Sequence, residues 1–278
     1  MIGVYDSGIG GLSILRALRA ELPEQDFIYL ADSGHAPYGE RESEHVLHRA
    51  RRVSGHLLGR GIEALVVACN TATAVAIEAL RQEHPGLPII GVEPALKPAV
   101  ALSHTRRIGV MATRGTLQSD KFARLLRSQE GGQVQFVLQA CDGLALAIEN
   151  SVDGSEQSAA ALLECASRHV EALGSCGSGQ GQVDTVVLGC THYPLVAPLL
   201  QRLVGAQVSL LETGPSVARQ TRHRLGAAVG SNAQATQGRL WLACTGAGQE
   251  LQNAAARWLG LVQAVQAVQA VEWVDLPD

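Results

Sequence analysis

The heptapeptide Leu-Val-Val-Ala-Cys-Asn-Thr at residues 65–71 returns at residues 186–192 as Val-Val-Leu-Gly-Cys-Thr-His. In both copies an apolar run typical of a buried parallel strand ends at a cysteine, which hydrogen-bonding side chains follow. An earlier pair repeats in the same order, Ile-Gly-Val-Tyr-Asp-Ser-Gly at residues 2–8 and Ile-Gly-Val-Met-Ala-Thr-Arg-Gly at residues 108–115. Val-rich strands also resemble one another by chance, but two echoes in one order favour a duplicated unit.

Short β-type runs alternate with helical stretches, which predicts an α/β fold. Strands are predicted at residues 2–5, 27–30, 64–68, 89–92, 107–111, 134–138 and 185–188, and helices at residues 12–22, 41–58, 120–127 and 159–173. The duplication then implies two pseudo-symmetric α/β domains with mainly parallel sheets and an active-site cleft between them. Ligands of such sheets bind beyond the carboxyl ends of the strands, so each wall of the cleft is expected to carry one cysteine.

Three further segments are interpreted as connections. Two prolines at residues 93–98 mark the boundary between the halves. Residues 174–182 are rich in Gly, Ser and Gln and predict an exposed loop, in which Cys176 is incidental. Residues 226–238 are expected to form another loop, and a Val-Gln-Ala repeat at residues 262–271 suggests no function.

Composition excludes several classes of protein. Hydrophobic residues make up 46 % of the 278 residues and charged residues 17 %, the balance of a soluble protein with a sizeable core. The net charge is −4 and no basic stripe with aromatic residues appears, so nucleic acid is not expected as the primary ligand. No secretory signal and no apolar run of about 20 residues is present, which indicates a cytoplasmic protein without a membrane partner. Six cysteines in a reducing compartment are interpreted as thiols rather than disulfides.

Cys69 and Cys190 are the candidate reactive groups. A cysteine at a strand end where a helix starts has a lowered thiol pKa, because the helix dipole favours the thiolate. A single cysteine in that place is more often a small core residue, but two at matching positions favour chemistry. No Cys-x-x-Cys pair exists, and the spacing of Cys190 and His192 is too short for usual zinc ligands, so no metal is expected. A Cys/His hydrolase stays possible but leaves the second cysteine without a role.

Asp6, Glu149 and His192 are the candidate assistants of the thiols. A carboxylate or imidazole beside a thiol can accept its proton. The alternatives are that Asp6 only caps the turn that follows it and that Glu149 is a solvated helix carboxylate. The glycine-rich turn at residues 6–11 can receive a carboxylate at the helix start, and its spacing departs from a dinucleotide fingerprint.

Five segments together resemble the bacterial glutamate racemases. They are Asp-Ser-Gly-Ile-Gly-Gly at 6–11, Ala-Asp-Ser at 31–33 with Pro-Tyr-Gly-Glu-Arg at 37–41, Cys-Asn-Thr-Ala at 69–72, Gly-Val-Glu-Pro at 91–94 and Gly-Cys-Thr-His-Tyr-Pro at 189–194. They follow the family's order over about three quarters of the chain. Aspartate racemases are similar in the first cysteine motif but carry Glu where this chain has His192.

The resemblance implies specific roles. Cys69 would take the α-proton from D-glutamate and Cys190 from L-glutamate, with Asp6 supporting the first thiol and His192 and Glu149 the second. The implied substrate-binding residues are Asp6, Ser7, Tyr38, Gly39, Asn70, Thr71, Thr191 and His192. The family fold has a C-terminal region that returns to the first domain, so residues 1–96 plus 210–278 would form one domain and residues 97–209 the other.

The implied enzyme works without a cofactor, as a homodimer, and supplies D-glutamate for peptidoglycan. A pyridoxal enzyme needs a Schiff-base lysine, and neither Lys97 nor Lys121 lies in a convincing pocket motif. Two alternatives remain open. The chain could be a two-domain amino-acid-binding protein without turnover, which has no need for paired thiols, or a racemase of aspartate or a hydantoin.

Overall fold

The structure is a computed structural model that describes residues 1–129, 134–226, 237–260 and 271–277. The chain forms two compact units, Met1–Val92 with Gly214–Asp278, and Glu93–Thr213. Most of the predicted loop at 226–238 and of the Val-Gln-Ala repeat at 262–271 lies outside the described residues. Among the helices of the described ranges, none has the length and hydrophobicity needed to cross a membrane.

Helices and strands alternate along the chain, as predicted. The first stretch comprises β1 (Ile2–Asp6), α1 (Leu12–Glu21), β2 (Phe27–Ala31), α2 (Ser43–Gly59), β3 (Ala64–Val67), α3 (Asn70–Glu83) and β4 (Ile89–Gly91). The second unit comprises α4 (Leu96–Leu102), β5 (Arg107–Ala112), α5 (Arg114–Leu117), α6 (Asp120–Arg127), β6 (Gln135–Ala140), α7 (Leu144–Asn150), α8 (Glu156–Glu171), β7 (Thr185–Gly189), α9 (Ala197–Val204) and β8 (Ser209–Leu211). The chain then returns to the first unit with α10 (Gly214–Leu225), β9 (Leu240–Cys244), α11 (Gly248–Leu259) and β10 (Glu272–Trp273).

The first unit is built on a parallel sheet with the strand order β10-β9-β2-β1-β3-β4. Every residue of β1, β2 and β3 is buried, as expected where helices cover both faces of a sheet. Helix α1 packs against α10, and α2 packs against α3. The apolar runs predicted from the sequence therefore form the centre of this unit.

The second unit is built on a parallel sheet with the order β6-β5-β7-β8. Strand β7 is buried throughout, but β6 is partly exposed along its whole length. The strand predicted at residues 134–138 is present as Gln135–Ala140, but its side chains are not buried on both faces of the sheet. Strand β6 lies at the edge of the sheet, and within the described ranges no strand pairs with its outer side.

The two units share strand order and register. Strands β2-β1-β3-β4 of the first unit correspond to β6-β5-β7-β8 of the second. Ile2 pairs with Ala64 in the first, and Ile108 pairs with Thr185 in the second. Because the sequence echoes also align these pairs, the cysteines at 69 and 190 occupy equivalent positions, which supports a duplicated unit.

Some boundaries differ from the prediction for local reasons. Helix α8 begins three residues earlier than expected because the Ser155 hydroxyl accepts the N–H of Ser158 and caps it. Residues 174–182 form a largely exposed loop, as predicted. Strands β8, β9 and β10 have no counterpart in the prediction.

Candidate active site

Cys69 follows β3 with only Ala68 between them and caps the N-terminus of α3. Its thiol is buried, and Sγ accepts a hydrogen bond from the N–H of Ala72 at 3.4 Å. The N–H groups of the first turn and the positive end of the helix dipole point toward this position and favour negative charge there. The sequence expectation of a strand-end cysteine at a helix start is met at this position.

The Ser7 hydroxyl lies next to the Cys69 thiol, and the Asp6 carboxylate lies next to that hydroxyl. The Ser7 Oγ atom lies 3.9 Å from Sγ of Cys69. Both the Ser7 hydroxyl and the Gly8 N–H donate to Oδ1 of Asp6, each at 3.1 Å. Asp6 thus caps its turn and also anchors the hydroxyl that faces the thiol. A Cβ atom on Gly11 would lie 2.6 Å from Cβ of Asp6, so only glycine fits beside this carboxylate.

Tyr38 and Gly39 are buried in a short 3₁₀ turn that follows β2. The Tyr38 hydroxyl donates to Oδ2 of Asp32, and Oδ1 of the same carboxylate pairs with Arg49 at 2.9 Å. Burial and the Asp32 charge raise the pKa of Tyr38, so its hydroxyl stays protonated. The sequence analysis assigned no role to Asp32 or Arg49, although Asp32 lies within a quoted motif.

Asn70 and Thr71 form the first turn of α3 and are both buried. In the described part of the chain, neither side-chain polar atom of Asn70 has a hydrogen-bond partner. Buried amides are seldom left unpaired, and such a group next to a reactive thiol is a candidate ligand for substrate. This geometry agrees with the predicted binding role of Asn70.

Tyr5 is a polar residue of this site that the sequence analysis missed. Its side chain is fully buried, and its hydroxyl has no hydrogen-bond partner among the described residues. Burial raises its pKa well above the usual value, and the nearby Cys69, Asp32 and Asp6 add to that effect. The available signal was a tyrosine that directly precedes Asp6 in β1, where the earlier residues of the strand are Ile, Gly and Val.

In the second unit Cys190, His192 and Glu149 form a continuous chain of contacts. The Sγ atom of Cys190 lies 3.6 Å from Nδ1 of His192, and Nε2 of His192 lies 2.7 Å from Oε1 of Glu149. Cys190 and His192 are buried after β7, while Glu149 comes from α7 and is partly exposed. The structure brings together all three residues that the sequence analysis grouped.

The environment of His192 favours its protonated form. Burial alone lowers its pKa, but hydrogen bonds with Cys190 and Glu149 outweigh burial and hold the pKa well above the usual value. An imidazolium between a thiol and a carboxylate can give a proton to either neighbour.

The helix expected directly after Cys190 is absent, which corrects the sequence interpretation. A 3₁₀ turn, Tyr193–Val196, follows instead, and α9 begins only at Ala197. Pro194, which has no N–H to donate, stands in that turn. The helix-dipole argument therefore applies to Cys69, whereas His192 is the positive group beside Cys190.

Thr191 and Tyr193 flank this trio. Both are buried, and Tyr193 was not predicted as a site residue. Burial raises the pKa of Tyr193 well above the usual value, and the thiols of Cys190 and Cys141 raise it further. Tyr193 therefore stays neutral next to the reactive thiol.

Register shows that the two candidate thiols have different neighbouring side chains. The position of Asp6 in β1 corresponds to Ala112 in β5, and Thr71 corresponds to His192. The first unit thus supplies a carboxylate from the strand before the thiol, and the second an imidazole from the residues after it. The duplicated fold carries equivalent thiols in unequal electrostatic surroundings.

Within the described ranges, no group of three or more His, Cys, Asp or Glu side chains is arranged to hold a metal ion. Of the two lysines, Lys97 is exposed and Lys121 forms an ion pair with Glu93 at 2.6 Å.

Comparison with known proteins gives consistent matches. A family model described as Asp/Glu/Hydantoin racemase matches residues 12–221. The glutamate racemase of Ectopseudomonas mendocina is 48 % identical over 225 residues, which are 81 % of this chain and 82 % of that protein. The glutamate racemase of Herpetosiphon aurantiacus is 46 % identical over 242 residues, 87 % of this chain and 91 % of that protein.

Solved structures match over the whole chain. Glutamate racemase isoform RacE1 of Bacillus anthracis has a TM-score of 0.81 and 29 % identity, with 100 % of this chain and 98 % of that chain covered. Escherichia coli glutamate racemase, in complex with L-glutamate and its activator UDP-MurNAc-Ala, has a TM-score of 0.80 and 28 % identity with the same coverage.

Proposed function

The chain belongs to the Asp/Glu/hydantoin racemase family and, within it, to the glutamate racemases, and we propose that it interconverts L- and D-glutamate with Cys69 and Cys190 as two acid/base thiols. It is an amino-acid racemase, an isomerase. The observation that carries the proposed mechanism is the equivalence of the two thiols. Each is buried at the carboxyl end of the same strand of a duplicated sheet, and each touches its own proton-handling side chains.

Racemisation needs a base on one face of the α-carbon and an acid on the other. The α-proton of an amino acid is far less acidic than a thiol, so the carbanionic intermediate must be met at once by a proton donor. One thiolate and one thiol fill both roles, and they exchange roles in the reverse reaction. General acid–base catalysis of this kind contributes roughly 10²–10⁴-fold per group.

Each thiol acts on one enantiomer. Cys69 takes the α-proton from D-glutamate, and Cys190 takes it from L-glutamate. Asp6, through the Ser7 hydroxyl, supports Cys69. His192, held by Glu149, supports Cys190 and stores its proton. No step in this scheme requires a metal or an organic cofactor.

The substrate is held by polar groups at the same strand ends. Their members are Asp6, Ser7, Tyr38, Gly39, Asn70, Thr71, Thr191 and His192. The unpartnered amide of Asn70 supports its place in this set. Tyr38 contributes through its backbone, because its hydroxyl is bound to Asp32.

Serine variants of the two thiols test the mechanism, because they keep the size of the side chain and lose most of its acidity. We expect Cys69→Ser and Cys190→Ser each to lose racemisation of both enantiomers by at least about 10²-fold. The matched controls are Cys244→Ser in the first unit and Cys165→Ser in the second, both buried free thiols. Full activity of Cys69→Ser or Cys190→Ser would refute the two-thiol assignment.

In the cell the enzyme supplies D-glutamate for peptidoglycan, in the cytoplasm and as a homodimer. The supply of D-glutamate is tested by expressing this chain in a bacterium that requires D-glutamate and measuring growth without added D-glutamate. Light scattering of the purified protein tests whether it is a homodimer. Aspartate serves as the negative-control substrate in the racemisation assays.

A further inference from the structure

A buried ion pair lies behind the turn that carries Tyr38 and Gly39. Asp32 follows β2, and its N–H donates to the carbonyl of Asp6 at 2.9 Å, which places it at the same sheet edge as the Asp6 turn. The Arg49 guanidinium, on α2, donates to both carboxylate oxygens of Asp32 at 3.0 and 2.9 Å. Neither side chain is exposed to solvent at all. The pair is therefore an internal feature of the first unit.

The Asp32 carboxylate has two further donors besides Arg49. The Tyr38 hydroxyl donates to Oδ2, and the Thr245 hydroxyl donates to Oδ1 at 2.8 Å. Together these donors hold the pKa of Asp32 below its usual value against the opposing effect of burial. The carboxylate is thus a node that joins the Tyr38 turn, α2 and the segment after β9.

The segment after β9 also touches the loop directly. The Gly34 N–H donates to the Thr245 hydroxyl oxygen at 3.1 Å. A Cβ atom on Gly34 would lie 2.8 Å from the Thr245 carbonyl oxygen, and one on Gly246 would lie 2.6 Å from Oγ of Ser33. Residues 33–34 therefore pack against residues 245–246, with no space for a larger side chain at Gly34 or Gly246.

A buried ion pair is a weak source of stability, because desolvation of two charges offsets most of their attraction. Its effect is to restrict geometry, since any movement leaves a charge unpaired in the interior. Here the restricted groups are the Tyr38 hydroxyl and, through Thr245, the Gly34 backbone. Both belong to the loop that carries the proposed substrate-binding residues Tyr38 and Gly39.

We propose that Asp32 is a positioning residue that fixes the Tyr38–Gly39 backbone for substrate binding. This inference rests on the proposed function for the placement of that turn at the substrate. In this proposal the Tyr38–Gly39 backbone binds a part of the substrate that does not react. That contact therefore has equal strength in the ground state and the transition state. Loosening the anchor then raises KM for both enantiomers and leaves kcat unchanged.

The sharpest test is Thr245→Val, which removes one hydrogen bond to Asp32 and keeps side-chain size. We expect KM for L- and D-glutamate to rise by roughly 3- to 10-fold at unchanged kcat, a change of the size that one typical hydrogen bond contributes. The matched control is Thr221→Val, a fully buried threonine on α10 whose hydroxyl donates to the Val217 carbonyl. The control should keep the wild-type KM.

Two further variants extend the series. Tyr38→Phe removes the other neutral donor and should raise KM in the same manner, with less than additive effect in combination with Thr245→Val. Asp32→Asn leaves the Arg49 charge unbalanced and should raise KM by about tenfold or more if it folds. A merely structural role of Asp32 predicts the opposite pattern. The fraction of active enzyme would then fall, so that apparent kcat decreases while KM stays constant.

An unchanged KM in both Thr245→Val and Tyr38→Phe would overturn the inference. Calorimetric measurement of D-glutamate binding to the same variants distinguishes failure of the positioning role from failure of the proposed function. If the wild-type protein binds glutamate without racemising it, the racemase mechanism fails. Weakened binding in Thr245→Val would still support the positioning role of Asp32, and unchanged binding would refute it.

Discussion

The Nε2 atom of His192 lies 2.7 Å from Oε1 of Glu149, so a carboxylate from α7 holds the imidazole that faces Cys190. At the equivalent position beside Cys69 the chain has Thr71, and Asp6 provides the carboxylate from β1 instead. The duplicated fold therefore places like thiols in unlike surroundings. This arrangement is expected for an enzyme that removes the α-proton from either of two mirror-image substrates, with a different set of side chains for each.

The equilibrium between the two enantiomers limits how the difference between the two thiol environments can be measured. The two enantiomers have equal free energy in solution, so kcat/KM must be the same in both directions for every variant. A substitution beside one thiol lowers both values together. It changes which proton transfer limits the rate, and the primary isotope effect reports that change.

Glu149→Gln should slow the step at Cys190. Loss of the carboxylate lowers the pKa of His192, so the imidazolium that serves this thiol becomes scarcer. We expect kcat to fall on the order of 10- to 100-fold. The isotope effect should become larger with α-deuterated L-glutamate than with the D-enantiomer. Glu164→Gln, an exposed position on α8, is the control, and equal isotope effects in Glu149→Gln would contradict the assignment.

Asp6→Asn should produce the mirror-image result. The amide oxygen still accepts the Gly8 N–H, but the charge that supports Ser7 and Cys69 is lost. We expect a similar fall in kcat, with the larger isotope effect on α-deuterated D-glutamate. A larger effect on the L-enantiomer would show that Cys69 and Cys190 are assigned to the wrong enantiomers.

Stability should depend on pH through His192. Its folded pKa is raised, so protonation stabilises the folded state. This contribution is complete below the unfolded value of about 6.5 and is lost as pH rises through the folded pKa. In urea unfolding, the free-energy difference between wild type and Glu149→Gln should be larger near pH 6 than well above the folded pKa. A difference that does not vary with pH would refute this role.

Gly11→Ala should disturb the Cys69 half-site through packing. The added Cβ would lie 2.6 Å from Cβ of Asp6 and 2.8 Å from the Tyr29 hydroxyl, both buried. Overpacking of this kind costs about 1–3 kcal/mol in the free energy of unfolding. Gly55→Ala, exposed in α2 with open space around it, should instead stabilise by about 0.5–1 kcal/mol. Equal effects of the two substitutions in thermal unfolding would count against the packing argument.

Local patterns were sufficient for much of the fold and for the equivalent placement of the two candidate thiols. The strands before Cys69 and Cys190 are continuous apolar runs, and their echo predicts equivalent positions that the register reproduces. The contacts around Asp32 were out of reach, because Asp32 and Thr245 are 213 residues apart and meet only after β9 joins β2. The partial exposure of β6 likewise depends on its edge position, which no local pattern encodes.

In the proposed mechanism two thiols move the α-proton without a cofactor. The most direct test is incubation of the purified protein with L-glutamate in D₂O, with early sampling of both enantiomers for α-deuterium. We expect D-glutamate that carries deuterium, while the remaining L-glutamate still carries its original proton, because one thiol removes a proton and the other delivers one from solvent. D-glutamate that retains the substrate proton, or no conversion without an added cofactor, would contradict it.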